Sequence, residues 1–217
     1  MLSFRSYIQK HVVKLTEDVQ QNPVEVDAFH GSGKRFGKFA QSQARIKNDH
    51  MGGGIGYFTT NKDVARSYAN HMAKYHKTNT PYIYHTKLKM NNVFDVDHDF
   101  HGDKLKHLIP DEKKHEDFAR GAGLLKLGAD KYKTLSDLKS GNIKLSGQQV
   151  FNGLARAHGG TAGARDHLIK RGYDGLRYNG GEQMDQATKH DVYIPYTADS
   201  IHIHKITQIV KKKPESE

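Results

Sequence analysis

Val24-Glu25-Val26-Asp27-Ala28-Phe29-His30 alternates apolar and polar side chains, the period-two mark of a half-buried strand. It runs straight into Gly31-Ser32-Gly33-Lys34-Arg35, which reads as a turn. Downstream, residues 34–50 are basic and polar and read as a loop. Gly52-Gly53-Gly54-Ile55-Gly56 then leads into Tyr57-Phe58-Thr59-Thr60, a short aromatic and β-branched strand. Asn61 suits the N-cap of a helix over 62–76, with Val64, Tyr68, Met72 and Tyr75 at spacings of four and three on one face. Pro81 opens a strand over 82–88, and 93–96 supplies another.

Residues 98–165 differ in character: charged, Gly-punctuated and helical in pattern, a helical insertion expected to carry much of the positive charge. A short helix over 164–170 stops at Gly172. Strands follow at 175–178 and 192–196, separated by the polar loop 179–191, before a last apolar segment over 201–210. Upstream, Leu2, Tyr7, Ile8 and Val12 recur at helical spacing, so residues 1–22 read as an amphipathic helix and linker. Arg5, Gln9, Lys10 and His11 interrupt what a secretory signal would keep apolar. The expected layout is therefore 1–22, a domain over 23–210 with its insertion at about 98–165, and a frayed basic tail over 211–217. Strands separated by one or two helical stretches, with no regular βαβ alternation, argue for an α+β fold.

The 217 residues hold 34 Lys and Arg against 24 Asp and Glu, a formal charge of +10. That surplus attracts polyanions such as nucleic acid or a nucleotide phosphate. The absence of Cys excludes a disulfide scaffold, cysteine-ligated zinc and thiol nucleophiles. No apolar run approaches the ~18 residues of a membrane span. Gly31-Ser32-Gly33-Lys34 fails as a Walker A loop, because position 28 is Ala and Lys34 is followed by Arg35. Gly52 to Gly56 fails the dinucleotide fingerprint, since it precedes a strand where that motif follows one. Asp97-His98-Asp99 with His101, Asp103 and His107, and the pair His202 and His204 on one strand face, read as solvated groups, so no metal is expected.

Three features stand in order: His30-Gly31-Ser32 at a strand end, Tyr57-Phe58 with Tyr68 eleven residues on, and a late pair of strands with Gly172-Tyr173-Asp174-Gly175-Leu176 ahead of Ile201. Together they resemble the ADP-ribosyltransferase superfamily, in the His-Tyr-Glu branch shared by diphtheria-type toxins and poly(ADP-ribose) polymerases. His-Gly-Ser is similar to that family's first-strand motif, and Tyr57 and Tyr68 to its two stacking tyrosines. Gly172 to Leu176 is similar to a Gly-Tyr-Asp-Gly-Ile turn of bacterial and phage-encoded members, and the opening MLSFRSYI resembles the start of many tailed-phage proteins. The likeness covers about residues 24–97 and 164–204.

The resemblance implies a split antiparallel sheet and NAD as substrate, with a phage effector acting in the host cytoplasm as one setting. It implies that Tyr57 and Tyr68 clamp the nicotinamide, with Phe58 beside them, and that the Gly31 backbone meets the carboxamide. His30 would bond a ribose hydroxyl of the adenosine half, Ser32 would lie beside it, and Lys34 and Arg35 would face the pyrophosphate. Breaking the nicotinamide–ribose bond builds an oxocarbenium-like cation, which a carboxylate must stabilise. Counting back from Ile201 lands on Val192, which has no carboxylate. Glu182, in the loop between the late strands, is the first choice for that carboxylate and Asp191 the second. The leading expectation is a mono-ADP-ribosyltransferase acting on a macromolecule, protein or nucleic acid. An NAD-dependent RNA 2′-phosphotransferase, and a non-enzymatic nucleic-acid-binding or virion protein on a degenerate fold, are the alternatives.

Overall fold

A computed structural model describes residues 23–40, 51, 53–78, 80–126, 129–181 and 189–210. The expected N-terminal helix in 1–22, most of the loop over 41–50, Glu182 and the tail over 211–217 lie outside the described residues.

In chain order the elements are β1 Val24–Ser32, β2 Phe58–Thr59, α1 Lys62–Tyr75, β3 Tyr82–Met90, β4 Val93–Asp95, β5 Asp99–Phe100, α2 Gly102–Leu108 and α3 His115–Gly121. There follow α4 Lys131–Ser140, β6 Leu145–Ser146, α5 Gly147–Ala157, α6 Thr161–Lys170, β7 Gly175–Asn179, β8 Asp191–Pro195 and β9 Ile201–Gln208. This is an α+β protein, and the chain divides into two compact units.

The first unit takes residues Val24–Met90 and resumes at Gly175. Its strands lie in the order β7-β8-β2-β1-β3-β9, each antiparallel to its neighbours. β1 runs two residues further than its alternation predicts: His30, Gly31 and Ser32 still pair with Tyr84, Ile83 and Tyr82 of β3. The ladder between β1 and β2, by contrast, is confined to Phe29 and Thr59. A register shift between His85 and Thr86 leaves His204 without a partner on β3, while His202 stands opposite Lys87.

Helix α1 begins where its cap predicts. The Asn61 side-chain oxygen accepts from the amides of Asp63 at 2.9 Å and Val64 at 3.3 Å. Its packed face is not the predicted one. Ala65, Ala69 and Ala73 are buried, whereas Tyr68 is 40% and Tyr75 69% exposed. The reason lies in β1. A Cβ placed on Gly31 would collide with the Ala65 carbonyl oxygen and stand 2.7 Å from the Ala69 nitrogen, and one on Gly33 would stand 2.6 Å from the Ala73 nitrogen. Helix and strand approach so closely that only methyl groups fit between them, and the larger side chains turn aside.

The second unit includes Asn91–Asp174. Phe94, Phe100, Leu105, Leu108, Phe118, Leu138, Phe151 and Leu154 form its buried core. Ser146 and Gln149 make a reciprocal capping box at the start of α5, and Gly141 ends α4 in the left-handed region at φ 74°. Residues 98–165 hold twelve Lys and Arg against eight Asp and Glu, so this segment supplies only four of the ten net charges. Most of its cations are also matched locally: Lys106 with Asp103, Arg120 and Lys131 with Glu116, Lys133 with Asp137, Lys139 with Glu112, and Lys144 with Asp99. Lysine-rich sequence here is ion-paired helix surface.

Candidate functional site

Alternation along β1 turns His30 to the face opposite the one on which Gly31 meets α1. There the imidazole is ringed by aromatic side chains. Phe39 and Phe58 lie at centroid distances of 5.2 and 5.3 Å, Tyr84 and Phe36 at 6.0 and 6.2 Å. Its Nδ1 stands 2.9 Å from the Tyr57 carbonyl oxygen. A carbonyl only accepts, so Nδ1 carries the proton and Nε2 carries the lone pair. No partner for Nε2 is present among the described residues. Burial among these rings pushes the His30 pKa down to about 4, so the side chain is neutral at physiological pH.

Two members of this ring, Phe36 and Phe39, come from the segment that reads as a basic loop. Phe36 stacks on Tyr84 at 4.2 Å. The Tyr84 hydroxyl, fully buried, accepts from the Phe36 amide at 2.6 Å and reaches the Phe36 carbonyl oxygen at 3.1 Å. It thereby pins the stretch that carries Lys34 and Arg35, both exposed. The sequence signal was two phenylalanines three apart in an otherwise basic run. Removing the hydroxyl leaves the Phe36 amide without its acceptor, so Tyr84→Phe is expected to cost about 1–2 kcal/mol. Amide exchange should accelerate at Phe36 in this variant more than at the centre of β3.

The other expected residues fall as follows. The Ser32 hydroxyl is taken up in its own turn, accepting from the Lys34 amide at 3.1 Å and donating to the Lys34 carbonyl at 2.8 Å. Gly31 is glycine because of α1, and its backbone pairs with Ile83. Phe58 is wholly buried. Tyr57 is half-buried just ahead of β2, and Tyr68 stands exposed on α1. The structure therefore brings His30, the Tyr57 carbonyl and Phe58 together. Tyr68 belongs to the helix on the other face of β1, and no ring contact joins it to Tyr57 among the described residues.

Asp191 opens β8 beside the end of β2. Its amide donates to Thr60 Oγ1 at 3.1 Å, and its carbonyl accepts from the Thr60 amide at 3.0 Å. The carboxylate is already engaged, with Arg177 Nη2 at 2.7 Å from Oδ1. Tyr193, two residues on, lies opposite Phe58. Asp191 therefore shares the sheet face of Phe58 and His30. Val192 is a core residue. Asp174, within the Gly172–Leu176 segment, has a bracing role: its carboxylate accepts from the amides of Asn91 at 2.7 Å and Asn92 at 3.1 Å.

Among the described residues, no group of three or more His, Asp or Glu side chains is arranged to hold a metal ion, and no helix is long and apolar enough to cross a membrane. Compared with known proteins, the chain matches no family model, no curated protein and no solved structure.

Proposed function

We propose that this chain is a mono-ADP-ribosyltransferase, which breaks the bond between nicotinamide and ribose in NAD and transfers ADP-ribose to a macromolecular acceptor. The bonding pair of that C–N bond leaves with nicotinamide. The acceptor's nucleophile then bonds to the ribose carbon and gives up its proton. The observation that carries the reading is His30: a neutral imidazole, its tautomer fixed by the Tyr57 carbonyl, with an unpartnered Nε2.

Such a nitrogen accepts a hydrogen bond from a ribose hydroxyl. Its neutrality also matters, because an imidazolium would oppose the positive charge that develops on the sugar. Lys34 and Arg35, on the stretch anchored by Tyr84, suit the pyrophosphate.

For the carboxylate, Asp191 is neutralised by Arg177, which weakens it as a partner for a developing cation. Glu182, between β7 and β8 in sequence, remains the first choice and Asp191 the second. Labelled NAD, incubated with the protein and a cell lysate, tests the proposal. Label transfer or nicotinamide release is expected from the wild type. His30→Ala should lower kcat/KM at least about tenfold, the worth of one hydrogen bond between catalyst and sugar. Glu182→Gln should lower kcat by about 10²–10³-fold and Asp191→Asn by far less. Tyr57→Ala isolates the ring, since the carbonyl that orients His30 is retained. Wild-type protein that neither releases nicotinamide nor labels any macromolecule would overturn the reading.

A further inference from the structure

In the unit that includes Asn91–Asp174, where ion pairing is the rule, one group of cations has no carboxylate. Lys114, Lys170 and Arg171 make no ion pair among the described residues. They surround two histidines whose rings lie 4.5 Å apart, His158 at the end of α5 and His167 in α6. Lys114 Nζ stands 3.1 Å from His158 Nδ1. An ammonium only donates, so Nδ1 accepts and the His158 proton sits on Nε2. That Nε2 is buried and has no acceptor. His167 Nε2 lies 2.9 Å from the Leu108 carbonyl and so carries its proton too, yet Arg171 Nε faces the same nitrogen at 3.5 Å, donor against donor.

Around the two rings thus stand a half-buried ammonium whose one acceptor is His158 Nδ1, an orphaned imidazole N–H, and a guanidinium whose one clear acceptor is the Ile109 carbonyl at 3.5 Å, with no carboxylate paired to either cation. A tetrahedral oxyanion supplies what is missing: several acceptor oxygens and negative charge. We infer that Lys114, His158 and Arg171 form a binding site for a phosphate-class oxyanion, either free or carried on a small molecule such as a nucleotide. Lys170 adds charge at its rim. The inference does not rest on the ADP-ribosyltransferase reading, and it involves none of the residues of that site.

Protonation follows the same geometry. His158 is held below its ordinary pKa by lost hydration, then by Lys114, Lys170 and Arg171, with only Asp111 acting the other way. His167 is held at about 4 by lost hydration, with His158, Arg171 and Lys114 adding to the effect and the Leu108 carbonyl opposing it. His107 and His115, the remaining titratable groups beside this cluster, are turned to the carbonyls of Arg171 and Pro110. A bound dianion offsets the cations and raises both histidine pKa values. By linkage, its affinity increases as pH falls.

The test uses the full chain and the NMR signals of His158 and His167. Inorganic phosphate and adenosine 5′-monophosphate are titrated separately at pH 7. Sulfate, which stays a dianion throughout, is titrated from pH 7.5 to 5.5. Saturable shifts of both histidines are expected in the millimolar range or tighter, with sulfate affinity rising toward pH 5.5. Lys114→Met, which keeps the apolar stem, and Arg171→Gln should each weaken binding at least about tenfold. His30→Ala should leave it unchanged. Equal response to phosphate and the nucleotide assigns the site to the phosphate group alone. Response to the nucleotide only assigns it to a phosphate carried on an organic ligand. The inference is overturned if neither anion shifts these histidines, or if both variants bind like the wild type.

Discussion

Gly31→Ala should be the most damaging single methyl group that can be added to the sheet unit, with an expected loss of at least about 3 kcal/mol. The added Cβ would meet backbone atoms, the Ala65 carbonyl and the Ala69 nitrogen. Backbone cannot rotate out of the way as the end of a side chain can. To admit the methyl, α1 must lift off β1, and that separates Ala65, Ala69 and Ala73 from the strand that buries them. Gly37→Ala, four residues past Gly33, is the matched control. A Cβ there meets nothing within 4 Å, and the variant should stay within about 0.5 kcal/mol of wild type. Urea denaturation of the two variants checks the contrast. The comparison also separates structure from chemistry. If Gly31→Ala folds with wild-type stability but loses NAD turnover, then the glycine serves the substrate, as the resemblance implies, and the packing argument fails.

How far the sequence carried can be judged at this same place. Period-two alternation located β1, and the Asn61 cap located the start of α1, because both signals are local: a side chain and its own backbone within a few residues. The strands at 175–178 and 192–196 were legible for the same reason and are found within a residue or so as β7 and β8. The packed face of α1 was not legible. Helical spacing and hydrophobicity pointed to the stripe with Tyr68 and Tyr75. What decides instead for Ala65, Ala69 and Ala73 is Gly31 in β1 and Gly33 just past its end, a long-range fact that no window along the helix contains. The ring around His30 is a similar case. His30 and Phe58 stood out by motif, but Tyr84 reaches the imidazole only through the β1–β3 register, and Phe36 and Phe39 only once the 34–40 stretch folds back over β3. The ion pairing of the insertion was not legible, because a count of Lys and Arg omits their partners, one helical turn away for Lys106, Arg120 and Lys133 and more distant in sequence for Lys131, Lys139 and Lys144.

Mild acid should weaken the sheet unit through His30. His30 has a folded pKa of about 4 against an ordinary 6.5. Between those values the unfolded chain binds a proton that the folded imidazole refuses. The sign follows directly: the contribution is complete above pH 6.5, is lost progressively as pH falls toward 4, and levels off below that. The difference corresponds to on the order of 3 kcal/mol. His167 behaves in the same sense for the helical unit, where its pKa is also about 4. Glu25 is lowered through its bonds to Lys87 and Lys89, and the comparison with His30→Phe cancels its contribution, which both proteins share. The check is a set of urea midpoints by circular dichroism at pH 7.0, 5.5 and 4.5 for the wild type and His30→Phe. Phenylalanine keeps an aromatic ring against Phe39, Phe58 and Tyr84 but has nothing to protonate. The variant should match or exceed the wild type at pH 4.5 and lose part of the pH slope, leaving what is due to the other histidines held low, His85, His158 and His167. Identical slopes for the two proteins would show that the ring around His30 does not exclude water. The neutral imidazole that the proposed chemistry needs would then lose its structural basis.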